Sequence, residues 1–108
     1  MHKMYVVEQG VLQEKKDPPA SVYVYVSPGE KERRVLIDQM LIDEHTLQSA
    51  LDPDELSRLE FEPEHAAMIF KRPCNQTLTE GADAHLEFKV ASVGVFLFND
   101  KLLAIQSE

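Results

Sequence analysis

Residues 22–30 read VYVYVSPGE, and this stretch decides the fold. Its first five side chains are β-branched or aromatic, so they predict a strand that is apolar on both faces and therefore central in its sheet. The next four residues predict a helix start, with Ser27 as the N-cap, Pro28 at the first helical position and Glu30 closing a capping box. A central strand that leads directly into an amphipathic helix, predicted to run to about Met40, indicates a sheet with helices on at least one side.

Further strands and helices are predicted along the chain. Two short helices are expected after Asp43 and after Asp52, with each acid as the N-cap, and the second helix should bury Leu56 and Leu59. The predicted strands are residues 4–7, 11–15, 65–71, 86–90, 93–98 and 102–106, with a loop over residues 73–84. The sequence therefore predicts one domain, residues 1–108, of the α/β (α+β) class, with a mixed β-sheet packed against α-helices.

The formal net charge of −8 is concentrated in one segment. Between Asp43 and Glu64 the chain holds eight acidic residues and one basic residue, Arg58, so this segment carries −7 and the rest of the chain −1. Nucleic-acid binding requires a basic surface, so the balance excludes a nucleic-acid partner. The acidic segment is interpreted either as a solvated face with helix-capping carboxylates or as a surface that attracts cations.

Three carboxylates in this segment are the candidate metal ligands. Glu60, Glu62 and Glu64 lie at strand spacing, so they would share one face of an extended segment. Three carboxylates on one face can bind a hard cation such as Mg²⁺ through its waters. The alternative interpretation is an exposed polar face, and both remain open at this point.

No motif for covalent chemistry is present. Cys74 is the single cysteine, no nucleophile elbow or phosphate-binding glycine loop occurs, and the four histidines are isolated from one another. We therefore predict a protein that is not an enzyme, with no catalytic residues and no required cofactor. The longest apolar run without charge, residues 90–98, is far shorter than the ~20 residues of a membrane helix.

The order of the segments resembles a known family. The Val/Tyr strand and its SPGE helix start are followed by LQSALDPDE at residues 47–55, RLEFE at 58–62 and VGVFLFNDKLLAI at 93–105. This succession is similar to the N-terminal cytosolic domain of the CorA-type magnesium and cobalt transporter family, which also includes zinc transporters. The resemblance extends over roughly residues 4–106.

The resemblance implies a mixed sheet between sets of helices, in a chain that continues into a stalk helix and two membrane helices. Family members assemble as pentamers, and cations bound between neighbouring cytosolic domains hold the pore shut. This chain lacks the Gly-Met-Asn pore signature, so we expect a non-conducting regulatory or sensor domain. The expected ligand of this domain is Mg²⁺ or another divalent cation. Residues 71–76 contain no carboxylate, so no metal ligand is carried over from the family's intersubunit site.

The implied location is the cytoplasmic face of the inner or plasma membrane. The domain itself is expected to be soluble, with other copies of itself as partners and with membrane attachment only through the missing C-terminal helices. The alternative hypothesis is a stand-alone module with the same fold that binds a small ligand or acts as a regulator.

Overall fold

The protein is described by a computed structural model that covers residues 1–78, residue 81 and residues 86–107. Within these residues, the strands and helices in chain order are β1 (His2–Glu8), β2 (Val11–Lys15), β3 (Val22–Val26), α1 (Glu30–Asp38), α2 (Glu44–Leu51), β4 (Arg58–Phe61), β5 (His65–Leu78), β6 (Leu86–Phe98) and β7 (Leu102–Gln106). The predicted α+β fold class, a mixed sheet packed against helices, is confirmed.

All strands belong to a single sheet with the order β2-β1-β3-β7-β6-β5-β4. β3 and β7 pair in parallel, and every other neighbouring pair is antiparallel. β3 therefore has a hydrogen-bonded neighbour on each side, as its apolar sequence predicts. The N-terminal hairpin is also confirmed, because Gln9 and Gly10 both take positive φ angles (52° and 74°) and join β1 to β2 in a two-residue turn.

The start of α1 lies two residues later than predicted. Ser27 has a φ of 45°, which ends β3, and its hydroxyl donates to the Ser107 carbonyl rather than to the helix. Gly29 is the N-cap instead, and its N–H donates to Glu32 Oε1 at 3.1 Å. A carboxylate at the third helical position does cap the helix, but it belongs to Glu32 and not to Glu30.

The predicted N-cap of α2 is confirmed, but the prediction of a further helix after Asp52 is wrong. Asp43 accepts a hydrogen bond from the Thr46 N–H at 3.2 Å. Asp52 accepts from the N–H two residues further on, that of Asp54 at 2.9 Å, and this geometry forms a turn rather than a helix cap. Leu56 and Leu59, which were expected to be buried, are 81% and 59% exposed.

The segment predicted as a loop begins as a strand. Residues 73–78 continue β5 and pair with β6, which runs without a break through the two strands predicted for residues 86–98. Pro73 is tolerated there because β5 pairs with β4 only as far as Ile69, and a strand with a free edge accepts a proline. The rest of the predicted loop, apart from residue 81, lies outside the described residues.

Both helices pack on one face of the sheet. The core between them contains Tyr25, Leu36, Ile42, Leu47, Ala67, Phe96, Leu103 and Ile105. Contact is close at Gly94, where an added Cβ would lie 2.6 Å from the Ala50 Cβ of α2. Among the described residues, no helix covers the other side of the sheet, so they contain one of the two sets of helices that the resemblance implies. This side, the open face, includes Leu59, Phe61, Met68, Phe70, Val95 and Leu97.

Candidate functional site

The predicted metal ligands line a single cavity where the start of α2 meets the β4–β5 turn. This acidic cavity has a volume of about 370 Å³. Its lining residues are Leu41, Asp43, His45, Thr46, Glu60, Glu62, Glu64 and His65. The structure therefore brings Glu60, Glu62 and Glu64 together and adds a fourth carboxylate from the cap of α2.

Glu60 is held by an arginine that joins the sheet to α2. The Glu60 Oε1 lies 2.6 Å from Arg58 Nε, so the two side chains form an ion pair. The Arg58 Nε–H does not point at this oxygen with hydrogen-bond geometry. The same guanidinium donates to Glu55 Oε1 at 2.6 Å and to Ser49 Oγ of α2 at 3.0 Å. Arg58 thus neutralises part of the acidic segment, and Glu60 is the least available of the three candidate ligands.

Glu62 and Glu64 lie in the turn that closes the β4–β5 hairpin. β4 ends at Phe61, and the Glu62 N–H donates to the His65 carbonyl at 2.8 Å across a two-residue loop, Pro63 and Glu64. The extended segment expected through Glu64 therefore bends after Phe61. Both carboxylates are exposed, and they remain on the rim of the cavity because the turn folds back toward α2.

Five of the eight lining residues were not recognised as site residues from the sequence, and Asp43 and His65 are two of them. Asp43 was predicted only as a helix cap, and its Oδ2 does accept from the N–H of Thr46. His65 was interpreted as a residue at a strand start, yet it is only 8% exposed and its ring lies against Phe96 and Phe98 at centroid distances of 5.5 and 5.0 Å. The register of the β4–β5 hairpin sets His65 opposite Glu62. A correct prediction of this register would have placed His65 in the cavity.

The acidic cavity can attract cations electrostatically. Four carboxylates line the cavity and Arg58 pairs with one of them, Glu60, so the cavity keeps a negative potential in a partly enclosed space. In the part of the chain that the structure describes, no group of three or more His, Cys, Asp or Glu side chains is arranged to hold a metal ion directly. Attraction through the waters of a hydrated ion needs no such convergence.

The helices α1 and α2 contain nine and eight residues. No helix within the described residues is long and apolar enough to cross a membrane.

Solved structures of CorA share this fold. The chain aligns over 99% of its length with the soluble domain of CorA from Methanocaldococcus jannaschii, with a TM-score of 0.71 and 20% sequence identity. It aligns over 100% of its length with the complete CorA magnesium transporter from the same organism, with a TM-score of 0.67 and 19% identity. The chain thus has the fold of the CorA soluble domain, as the order of its segments suggested.

The chain spans only part of both structures. It covers 40% of the chain in the soluble-domain structure and 32% of the complete transporter. No family model matches the sequence, and no curated protein matches it either.

Proposed function

We propose that this chain is the cytosolic regulatory domain of a CorA-like divalent metal ion transporter, and that it neither conducts ions nor catalyses a reaction. The observation that carries the proposal is the alignment of the chain, over 99% of its length, with the CorA soluble domain at a TM-score of 0.71. In this proposal residues 1–108 form one domain, and a stalk helix and two membrane helices follow it in the longer protein. The domain lies at the cytoplasmic face of the membrane and associates with other copies in a pentamer.

The gene itself provides the first test. The coding sequence downstream of codon 108 is expected to encode two apolar spans of about 20 residues each, the length that crosses a bilayer. The full-length product should restore magnesium uptake in a host that lacks its own transporter. Removal of residues 1–108 should leave transport intact but change its dependence on internal Mg²⁺. A stop codon directly after codon 108 would refute the proposal.

We also propose that the acidic cavity binds Mg²⁺ or another divalent cation, with Glu60, Glu62 and Glu64 as the candidate ligands. Support comes from the position of these carboxylates and Asp43 around one cavity, where they could bind a hydrated cation through its waters. Cation binding to the folded state alone raises the melting temperature as the ligand concentration rises. We therefore expect MgCl₂ or CoCl₂ to stabilise the protein more than NaCl at equal ionic strength.

A pair of matched variants tests this site. Glu62→Gln/Glu64→Gln should abolish the extra stabilisation by divalent cations. Glu8→Gln/Glu14→Gln, which removes two exposed carboxylates from the β1–β2 hairpin, should retain it. An equal response in both variants would show that the cations act on the general negative charge and not at this cavity. A response to an organic metabolite alone would favour the stand-alone ligand-binding module.

A further inference from the structure

The Arg58 side chain lies between the acidic cavity and α2, and each of its three nitrogens has a close neighbour. Nη1 donates to Glu55 Oε1 at 2.6 Å, and Nη2 donates to Ser49 Oγ of α2 at 3.0 Å. Nε lies 2.6 Å from Glu60 Oε1. One guanidinium therefore serves two carboxylates, and the three charged groups together carry a net charge of −1.

The contact with Glu60 is the weakest of the three. Glu55 and Ser49 meet the guanidinium with hydrogen-bond geometry. The Arg58 Nε–H has no such geometry toward Glu60 and no other acceptor among the described residues. A hydrogen bond weakens steeply as the N–H turns away from its acceptor. Glu60 is therefore the partner that can leave the guanidinium at the lowest cost, while Arg58 stays bound to the other two.

Glu60 faces a second source of positive charge, because it also lines the acidic cavity. Asp43, Glu62 and Glu64 line the same cavity and attract cations to it. His65 lines it as well, with a side chain only 8% exposed and an Nδ1 that has no hydrogen-bond partner in the part of the chain that the structure describes. Buried polar atoms are normally hydrogen-bonded, so this nitrogen is a second, independent sign that the cavity receives a polar ligand.

We propose, on the basis of the cation site proposed above, that Arg58 is the internal counter-cation of the acidic cavity and that a divalent cation displaces it from Glu60. Without the cation, Arg58 balances Glu55 and Glu60 together. When the cation binds, Glu60 turns to it, and Arg58 and Glu55 remain as a balanced pair. The apparent affinity for the cation is lowered by the fraction of molecules in which Arg58 holds Glu60.

The exchange also reaches α2. Ser49 is 2% exposed, and its hydroxyl accepts from Arg58 and donates to the His45 carbonyl within the helix. His45 lines the cavity. Arg58 also binds Glu55, which lies in the segment between α2 and β4. A guanidinium released from Glu60 therefore changes its contacts with α2 and with the connection to β4, so cation binding is coupled to the position of the helix.

Calorimetric titration of the 108-residue chain with MgCl₂ at constant ionic strength tests the proposal. Arg58→Met keeps an apolar stem and removes the charge, so it should bind Mg²⁺ at least ~5-fold more tightly than the wild type. Lys71→Met is the matched control, because it removes the same charge at the far end of α2, where Lys71 Nζ donates to the Asp52 carbonyl at 3.3 Å. The eight residues of α2 span ~12 Å, which exceeds the Debye length of ~8 Å, so this variant should bind like the wild type.

A second measurement follows Arg58 in the wild type and needs no variant that folds. In ¹H–¹⁵N NMR spectra, with the side chain assigned through bonds from its backbone, MgCl₂ should shift the Arg58 Nε–H signal. NaCl at equal ionic strength should leave the signal in place. An arginine that only supports the fold would show no change at saturating MgCl₂, and that result would contradict the exchange of partners.

Three outcomes of the titration would overturn the proposal, and they distinguish it from the site on which it rests. Equal Mg²⁺ affinity of Arg58→Met and the wild type would mean that Arg58 does not compete for Glu60, although the cation site stands. An equal gain in Arg58→Met and Lys71→Met would mean that only net charge matters. No binding by either the wild type or Arg58→Met would refute the cation site itself. The transporter function is tested separately by the downstream coding sequence.

Discussion

The two faces of the central sheet are similar in sequence and different in environment. On the covered face, Phe96, Leu103 and Ile105 are fully buried under α1 and α2. On the open face, Leu97 follows Phe96 along β6 and is 58% exposed, and Met68 lies between the buried Ala67 and Ile69 on β5 and is 46% exposed. Hydrophobic residues alone thus do not determine which face becomes the core, because burial also requires an element to pack against.

The covered face carries the contacts that stabilise this chain. The covered face has a close helix contact at Gly94 and a contiguous core that includes both helices. Most of the stability is therefore expected to come from this side of the sheet. The open face is expected to contribute little to the stability of the described residues.

The largest effect is expected from a matched pair of phenylalanine truncations. Phe96→Ala removes a fully buried ring from the covered face and should lower the free energy of unfolding by about 3–5 kcal/mol. Phe61→Ala removes a ring that is 79% exposed on the open face and should cost less than ~1 kcal/mol. Urea unfolding at a concentration that keeps the chain monomeric measures both. Similar losses in the two variants would mean that the faces do not differ as described.

The sequence predicted the sheet better than it predicted what packs on each face. Alternation and turn residues identified β3, the N-terminal hairpin and the β6–β7 hairpin, since these depend on local signals. Leu56 and Leu59 were placed in the core because a capped apolar segment resembles a buried helix. Their exposure depends on the absence of a packing partner, which local sequence does not report.

The candidate site shows the same limit. The acidic residues between Asp43 and Glu64 are visible in the sequence, and so is their number. Four of the eight line one cavity, and this depends on the turn after Phe61 and on the position of α2. His65 joins the cavity only because hairpin pairing places it opposite Glu62, so a search for metal-ligand spacing overlooks it.

A second prediction concerns the close contact beneath α2. Gly94→Ala introduces a Cβ that would lie 2.6 Å from Ala50 Cβ and 3.1 Å from Phe96 Cε1, so α2 must shift. Overpacking of this kind should cost about 1–3 kcal/mol of unfolding free energy. Ala50→Gly removes the opposing Cβ but weakens the helix by about 1 kcal/mol.

The double variant Gly94→Ala/Ala50→Gly isolates the steric term. If the helix contacts the sheet at Gly94, the double variant should be more stable than the sum of the two single effects predicts. Strict additivity of the two changes in unfolding free energy would contradict this contact.

The smallest predicted effect lies at the rim of the covered face, where Glu32 of α1 contacts the start of β1. Glu32 Oε1 lies 2.9 Å from the Met1 amino group, and Oε2 lies 2.9 Å from His2 Nδ1. The hydrogen bond from the Met1 amino group, together with those from the Gly29 N–H and His2, lowers the pKa of Glu32 from 4.5 to about 2 against the opposing effect of burial. Because the pKa of Glu32 is lower in the folded than in the unfolded state, its carboxylate stabilises the folded protein at pH values above the unfolded pKa. This stabilisation should be lost progressively as the pH falls from 4.5 to about 2.

The size of this contribution is limited by solvent, because the Met1 amino group and His2 are 65% and 43% exposed. We expect about 1 kcal/mol after screening. Glu32→Gln should lower the free energy of unfolding by this amount at neutral pH, and its difference from the wild type should shrink as the pH falls from 4.5 and vanish below about 2. Glu30→Gln, at an exposed carboxyl in the same helical turn, is the control and should change stability far less. Equal effects of the two substitutions at neutral pH would attribute the stabilisation to the helix dipole, which acts on both carboxylates, and not to the contact that anchors α1 at the edge of the covered face.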